Sequence, residues 1–318
     1  MSTYDAYSSP GLSYKAGFFI LFGLLGAGFL FGGAVGGIVW SALTGQSLLS
    51  MEKAMKDPSY AGAVRILQTV STFIIFFLPA WATARILNRR PMAFLGYNRW
   101  FDWRVLGLAL LIMLVCLPLV GALTELNRMI PVDDSVRKKF QALEDAYEKQ
   151  VEVMSLIRSP WEFMVALGVM ALGPAVFEET FFRGGMQNIL YRWTGRLWLS
   201  VILTGILFSA IHFSFFGFIP RMALGIVLGL LYHYSGSLWM AIAGHFLNNA
   251  IVVAYIYYLT ANGRSIREAM DDSDPLWVGL VALTAMACLF VYYRHFAERA
   301  RIAKMPAEER ALQEGWIA

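Results

Sequence analysis

Residues 161–183 read WEFMVALGVMALGPAVFEETFFR. Nothing from Phe163 to Phe177 is charged, and then two carboxylates and an arginine follow inside the same apolar segment, which continues to Leu190. A run of this kind is long enough to cross a bilayer, for which a helix needs about 20 residues. The rest of the chain has the same character. Of 318 residues, 58% are hydrophobic and only 15% are charged, and the mean hydropathy is +0.56. Soluble chains carry about 25% charged residues. A soluble one- or two-domain protein is therefore excluded, and the sequence predicts an all-α polytopic membrane protein with the lipid bilayer as its main solvent.

Apolar segments fall at 16–43, 62–87, 105–130, 161–190, 197–215, 218–235, 238–259 and 276–294. They predict a bundle of about eight transmembrane helices in a single integral membrane domain, residues 1–318. No internal repeat divides it. The first segment is about twice as long as a signal-peptide core and lacks a small-residue cleavage motif, so it is expected to be retained. Gly28, Gly32 and Gly36 recur every fourth residue along it, a spacing that lets helices approach closely. Cys116 and Cys288 both lie in apolar runs, which leaves no disulfide framework or cysteine metal site.

The loop charges orient the bundle. Arg85, Arg89, Arg90, Arg99 and Arg104 fill the second loop, Arg192 and Arg196 the fourth, and Arg294, Arg299, Arg301, Lys304 and Arg310 the tail. With eight crossings these share one side, and the positive-inside rule makes it cytoplasmic, with both termini inside. The net charge of +4 and pI near 9.0 reflect these loops. No basic block with interleaved aromatics points to nucleic acid. The third loop, 131–160, differs: Arg137, Lys138, Lys139, Lys149 and Arg158 are offset by Asp133, Asp134, Glu144, Asp145, Glu148 and Glu152. Phe140, Leu143, Tyr147, Val151 and Met154 recur there at helical spacing. An amphipathic helix on the outer surface, or capping the bundle, is predicted. A solvated structural helix and a substrate gate are both open readings.

A charge near the bilayer centre costs at least about 2.5–3.5 kcal/mol, so each one needs a partner or a task. Within or beside the fourth to seventh segments stand Glu178, Glu179, Arg183, His212, His233 and His245, with Asn248 and Asn249 as polar neighbours. Glu178 and Glu179 diverge by about 100° on a helix, and Arg183 lies four residues past Glu179. Glu179 is then the ion-pair partner and Glu178 is left free to titrate as a general acid or base. Pro174, four residues before Glu178, removes a ladder hydrogen bond and bends the helix. A cluster that merely fastens helices is the competing reading. His212 follows Phe208 by four. His245 and Asn249 are also four apart, giving one polar helix face of the sort an oxyanion requires. His233 lies beside Tyr232 and Tyr234 at a helix connection and is read as interfacial and structural.

Glu-Glu-x-x-x-Arg, Phe-x-x-x-His and His-x-x-x-Asn, in that order on three apolar helices, resemble the CPBP family of CAAX-processing and bacteriocin-processing membrane proteases. The motif-bearing core is about 161–255. The resemblance implies eight transmembrane helices and glutamate-dependent intramembrane peptide hydrolysis without covalent catalysis. By position, Glu178 would activate water together with His212, His245 and Asn249 would hold the oxyanion, and Glu179, Arg183 and Phe208 would support them. It implies a membrane-associated protein or peptide as substrate: a prenylated C-terminal tail, a leader peptide or a transmembrane anchor. A bacterial plasma membrane is the expected location. Some family members are immunity-type proteins, so a non-catalytic membrane partner built on the same cluster is the alternative.

Other chemistries leave less trace. No His-Glu-x-x-His or Gly-x-Gly-Asp occurs, and Ser235 lacks the glycine two residues earlier that a rhomboid-like serine would have. No cofactor is expected, although zinc on Glu178, His212 and His245 would be chemically allowed. A proton-relay transporter finds no matched second half. One tension remains: straight helices place Glu178 and His212 at depths differing by about 10 Å. They meet only if the fourth helix begins outside the membrane or the fifth is offset.

Overall fold

The computed structural model describes residues 12–157, 159–264 and 273–306; Arg158 and Arg310 of the loop-charge pattern lie outside them. The described residues are helical, with no strand. Nine helices organise them: α1 (Tyr14–Thr44), α2 (Pro58–Leu87), α3 (Trp103–Arg128), α4 (Asp134–Met154), α5 (Pro160–Thr194), α6 (Leu197–Ala210), α7 (Phe218–Ser235), α8 (Leu238–Ala261) and α9 (Leu276–Lys304). Local chemistry sets their ends. Asp102 caps α3 by accepting from the backbone of Arg104 and Val105, and Ser159 caps α5 with Pro160 in its first turn. Gly195 and Gly236 close α5 and α7 at φ 67° and 65°, a left-handed backbone that glycine adopts without a Cβ clash.

Six of these helices, α1, α2, α3, α5, α8 and α9, are long and apolar enough to cross a membrane. Their outward faces carry exposed Leu30, Phe31, Ile38, Leu280 and Val291, apolar surface that lipid rather than water would cover. The segments expected at 197–215 and 218–235 are different. Helix α6 has 14 residues, about 21 Å at 1.5 Å per residue, and α7 has 18. Apolarity continues past Ala210, but the helix does not. Asn127 of α3 donates to the Phe215 carbonyl and accepts from the Ile219 amide, satisfying backbone groups that a helix would otherwise pair. Phe213 takes a positive φ of 51° in this turn.

Glycine lets α6 and α7 pack tightly. A Cβ on Gly225 would lie 3.0 Å from the Gly205 Cα. Gly28, Gly32 and Gly36 of α1 are likewise buried against α2. Around the crossing sit two apolar cores. One joins α3, α7 and α9 through Ile112, Met113, Leu228 and Tyr293; the other joins α1, α2 and α5 through Leu21, Ala80, Phe181 and Phe182.

Helix α4 forms where the third loop predicted it, and Phe140, Tyr147 and the buried Met154 of the expected face pack as predicted while Leu143 does not. Leu143 is exposed. Contacts come from Phe140, Glu144 and Tyr147, spaced by four and three. Phe140 stacks on Phe215 with centroids 4.4 Å apart, and Ser214 donates to Glu144 at 2.8 Å. At the other end Arg65 of α2 donates to the carbonyls of Met154 and Leu156. The amphipathic helix thus lies across the Ile211–Gly217 turn, pinned at both ends.

Candidate active site

Helix α5 is irregular where its charges lie. Wide π-type turns at Leu167–Leu172 and Thr180–Gln187 flank a regular turn, Gly173–Glu179. Pro174 has no N–H to donate, and the wide turn just before it accommodates the missing bond. The same arrangement recurs in α2, where a π stretch at Phe73–Phe77 precedes Pro79. After Glu179, the Thr180 hydroxyl donates back to the Val176 carbonyl at 2.5 Å, a side-chain bond that competes with the ladder. Since that hydroxyl has one proton, Tyr97, 2.6 Å away, must be the donor in its contact with Thr180.

Glu179 and Arg183 are fully buried. The pair expected from their spacing is formed, Arg183 Nη1 donating to Glu179 Oε1 at 2.6 Å. Arg183 Nη2 donates to the Gly225 carbonyl of α7 at 3.0 Å. Four residues on, Gln187 donates to the Gly229 carbonyl, so α5 grips α7 through two polar side chains over two glycines. The sequence reading did not anticipate the next contact. His245 Nδ1 lies 2.7 Å from Glu179 Oε1. A carboxylate only accepts, so Nδ1 carries a proton and the ring is oriented by Glu179. Its Nε2 is then a donor only when the imidazole is doubly protonated.

His212 stands on the turn after α6, with Nδ1 2.7 Å from the Phe208 carbonyl. A carbonyl only accepts, which puts the proton on Nδ1 and leaves the Nε2 lone pair of the neutral ring available as a base. Phe208 links the parts: its ring lies 5.0 Å from His212, 5.9 Å from His245 and 5.1 Å from Phe182, with the Arg183 guanidinium 4.7 Å over it.

Glu178 faces a different environment from its neighbour. It is partly exposed, and no hydrogen bond or ion pair among the described residues engages its carboxylate. His245, Glu179, Arg183 and Arg221 are its ionisable neighbours, and Arg221, His245 and Arg183 are those of His212. Glu178 and His212 thus share three ionisable neighbours. Helix α5 has 35 residues, about 50 Å at 1.5 Å per residue and longer than a hydrocarbon core of about 30 Å, whereas α6 has 14, so the two are not the equal straight spans on which the depth difference rests.

Asn249 is partly buried and its Oδ1 accepts from Asn248 at 3.1 Å; no hydrogen bond among the described residues ties it to His245 or Glu179. Its Nδ2 protons remain as donors. Arg221 was missed by the sequence reading, although it is a charge at the start of an apolar segment and the rule that found Glu178 applies to it equally. Among the described residues no three His, Cys, Asp or Glu side chains are grouped as a metal ion would need.

Residues 160–251 match the family described as type II CAAX prenyl endopeptidase, Rce1-like. A curated relative, an uncharacterised protein of Bacillus subtilis named YpbD, is 31% identical over 88 residues, covering 26% of this chain and 42% of the relative. The chain therefore matches less than half the length of that relative. No solved structure matches.

Proposed function

We propose that this integral membrane protein is an intramembrane endopeptidase hydrolysing a peptide bond of a membrane-associated protein or peptide, a reading supported by the match of residues 160–251 to the type II CAAX prenyl endopeptidase family. The observation that carries the reading is the unequal treatment of two adjacent glutamates. Glu179 is fully buried and accepts from both Arg183 and His245; Glu178 is partly exposed and unbonded, and it shares Arg183, Arg221 and His245 as neighbours with His212, whose Nδ1 is held by the Phe208 carbonyl.

In the proposed reaction a water lies between Glu178 and His212 Nε2. Glu178 takes one proton from it as the oxygen attacks the scissile carbonyl, whose π electrons become an oxyanion. His245, doubly protonated beside Glu179, donates from Nε2 to that oxyanion, and Asn249 donates from Nδ2. Collapse breaks the C–N bond, and the proton held by Glu178 passes to the leaving amine. Arg183 holds Glu179 in place and makes no contact with substrate. With Glu178 and Glu179 ionised, Arg183 and a cationic His245 balance their two charges, which limits the cost of burying them, and Arg221 adds one further positive charge. No cation is required at any step.

The chain is read as one integral membrane domain of a bacterial plasma membrane. In it α6 and α7 complete eight crossings and both termini face the cytoplasm. The test is comparative proteomics of membranes carrying the wild-type protein or Glu178→Gln. A protein whose terminus changes only with the wild type is expected; if Glu178→Gln processes that same protein at the wild-type rate, the cluster serves a non-catalytic partner instead.

A further inference from the structure

Arg221 stands in the first turn of α7, and its Nη1 is buried with no hydrogen-bond partner among the described residues. Buried donors on charged groups are rarely left so. The buried Arg65 and Arg183 direct guanidinium nitrogens at carbonyls and a carboxylate, with Arg183 Nε alone left over on that side chain, whereas Arg221 makes no side-chain hydrogen bond or ion pair among the described residues. Gly217 and Tyr147 enclose Arg221. A Cβ on Gly217 would lie 2.6 Å from Cζ and 2.9 Å from Nη2, and the Tyr147 ring of α4 sits 5.6 Å away. The charge interacts with Glu178 and with His212, yet no ion pair among the described residues joins Arg221 to Glu178.

The geometry points to Arg221 as a binding residue for a carboxylate of the peptide substrate, next to the scissile bond. A planar guanidinium fork matches a carboxylate with two parallel hydrogen bonds. Its place beside the two groups that would hold the water favours a peptide over a lipid headgroup. This inference rests on the hydrolase reading for the identity of its ligand. The carboxylate has two sources, the C-terminus of a short tail or an Asp or Glu side chain.

The probes are S-farnesylated, dye-labelled peptides binding to the Glu178→Gln protein in lipid nanodiscs. One pair differs only in C-terminal carboxylate or carboxamide; a second pair, both amidated, differs in an internal Glu or Gln. One pair should show about tenfold tighter binding of the charged member. Arg221→Gln should bring that ratio near one while leaving the uncharged peptide bound as before, which also shows that the variant folds. Arg221→Lys should keep part of the ratio, and Gly217→Ala, which displaces the guanidinium, should lower it. The pair that responds names the source. No Arg221-dependent ratio in either pair, equal loss of both members, or no binding at all overturns the assignment. Turnover of the same peptides by the protein with Glu178 intact is a separate measurement: binding without cleavage would remove the hydrolase reading and leave Arg221 as the carboxylate site.

Discussion

A single oxygen of Glu179, Oε1, accepts from Arg183 at 2.6 Å and from His245 at 2.7 Å. Both contacts rely on its negative charge. Glu179→Gln leaves the Arg183 cation without its counter-charge, and breaking a buried pair costs about 3–5 kcal/mol. The hydrogen bond from Arg183 to Gly225 survives the change, so the loss should fall in the lower part of that range. Thermal unfolding in detergent should show a clearly reduced midpoint. An unchanged midpoint for Glu179→Gln beside a lowered one for Glu178→Gln would reverse the two roles.

Glu178→Gln should behave in the opposite way. No protein hydrogen bond among the described residues is lost, so the melting midpoint should stay near that of the wild type. Gln cannot take a proton from water, and loss of a general base costs about 10²–10⁴-fold in rate. The check is turnover of a cleaved peptide by purified protein; a wild-type rate would remove Glu178 from the chemistry.

The sequence revealed contacts that depend on local spacing and missed those that depend on tertiary geometry. Glu179 and Arg183 were legible as a pair because four residues bring side chains together on any helix. The bond from Glu179 to His245 joins residues 66 apart, and nothing local to either announces it. Hydropathy located α6 and α7, including the start of α7, but it ran α6 on to residue 215 where the helix stops at Ala210. Ile211 to Phe218 is as apolar as the helices, and the turn exists because Asn127, far back in α3, satisfies its backbone. On α4 one position of the expected face, Leu143, was misassigned for a related reason, while Phe140 and Tyr147 make the contacts expected of it. Helical period alone chose Leu143, whereas docking on the Ser214–Phe215 turn uses the polar Glu144 beside Phe140.

Asp102 ties the start of α3 to the end of α9. Its Oδ2 lies 2.6 Å from Lys304 Nζ, and that hydrogen bond, before any other cause, holds the Asp102 carboxyl below the usual carboxylate range. A carboxylate depressed in the folded state adds stability above its unfolded value of about 3.9 and loses it as pH falls through the folded value. Lys304 is half exposed, so the contribution should be at most about 1 kcal/mol. Asp102→Asn, which can still cap α3, should lower the melting midpoint slightly at pH 7 and make no difference well below pH 3. Asp102→Ala should cost about 0.5–2 kcal/mol more through the lost cap. Equal midpoints for Asn and Ala would mean the cap contributes nothing.

Water held by Glu178 and His212 needs no metal, so activity should persist after exhaustive chelation and dialysis. The competing arrangement would place zinc on Glu178, His212 and His245, and there the ion would supply the nucleophile by lowering the pKa of bound water. Activity lost to a chelator and restored by one equivalent of Zn²⁺ would establish that arrangement in place of the metal-free one.

Orientation determines which face a substrate approaches. Helix α4 contacts the turn bearing His212 through Phe140 and Glu144 and Arg221 through Tyr147, so the site lies beneath it on one side of the bundle. In the proposed orientation, with the arginine-rich second and fourth loops cytoplasmic by the positive-inside rule, α4 lies on the outer side. Leu143 is half exposed on α4, and Trp193 is exposed at the opposite end of α5. In a background with Cys116 and Cys288 replaced by serine, Leu143→Cys should react with a membrane-impermeant maleimide on intact cells. Trp193→Cys should react only after permeabilisation. That pattern means the peptide is reached from outside the cytoplasm, as an exported leader or anchor would be. The reverse pattern would invert the bundle, open the site to the cytoplasm and favour a lipidated C-terminal tail, without changing the chemistry assigned to Glu178 and His212.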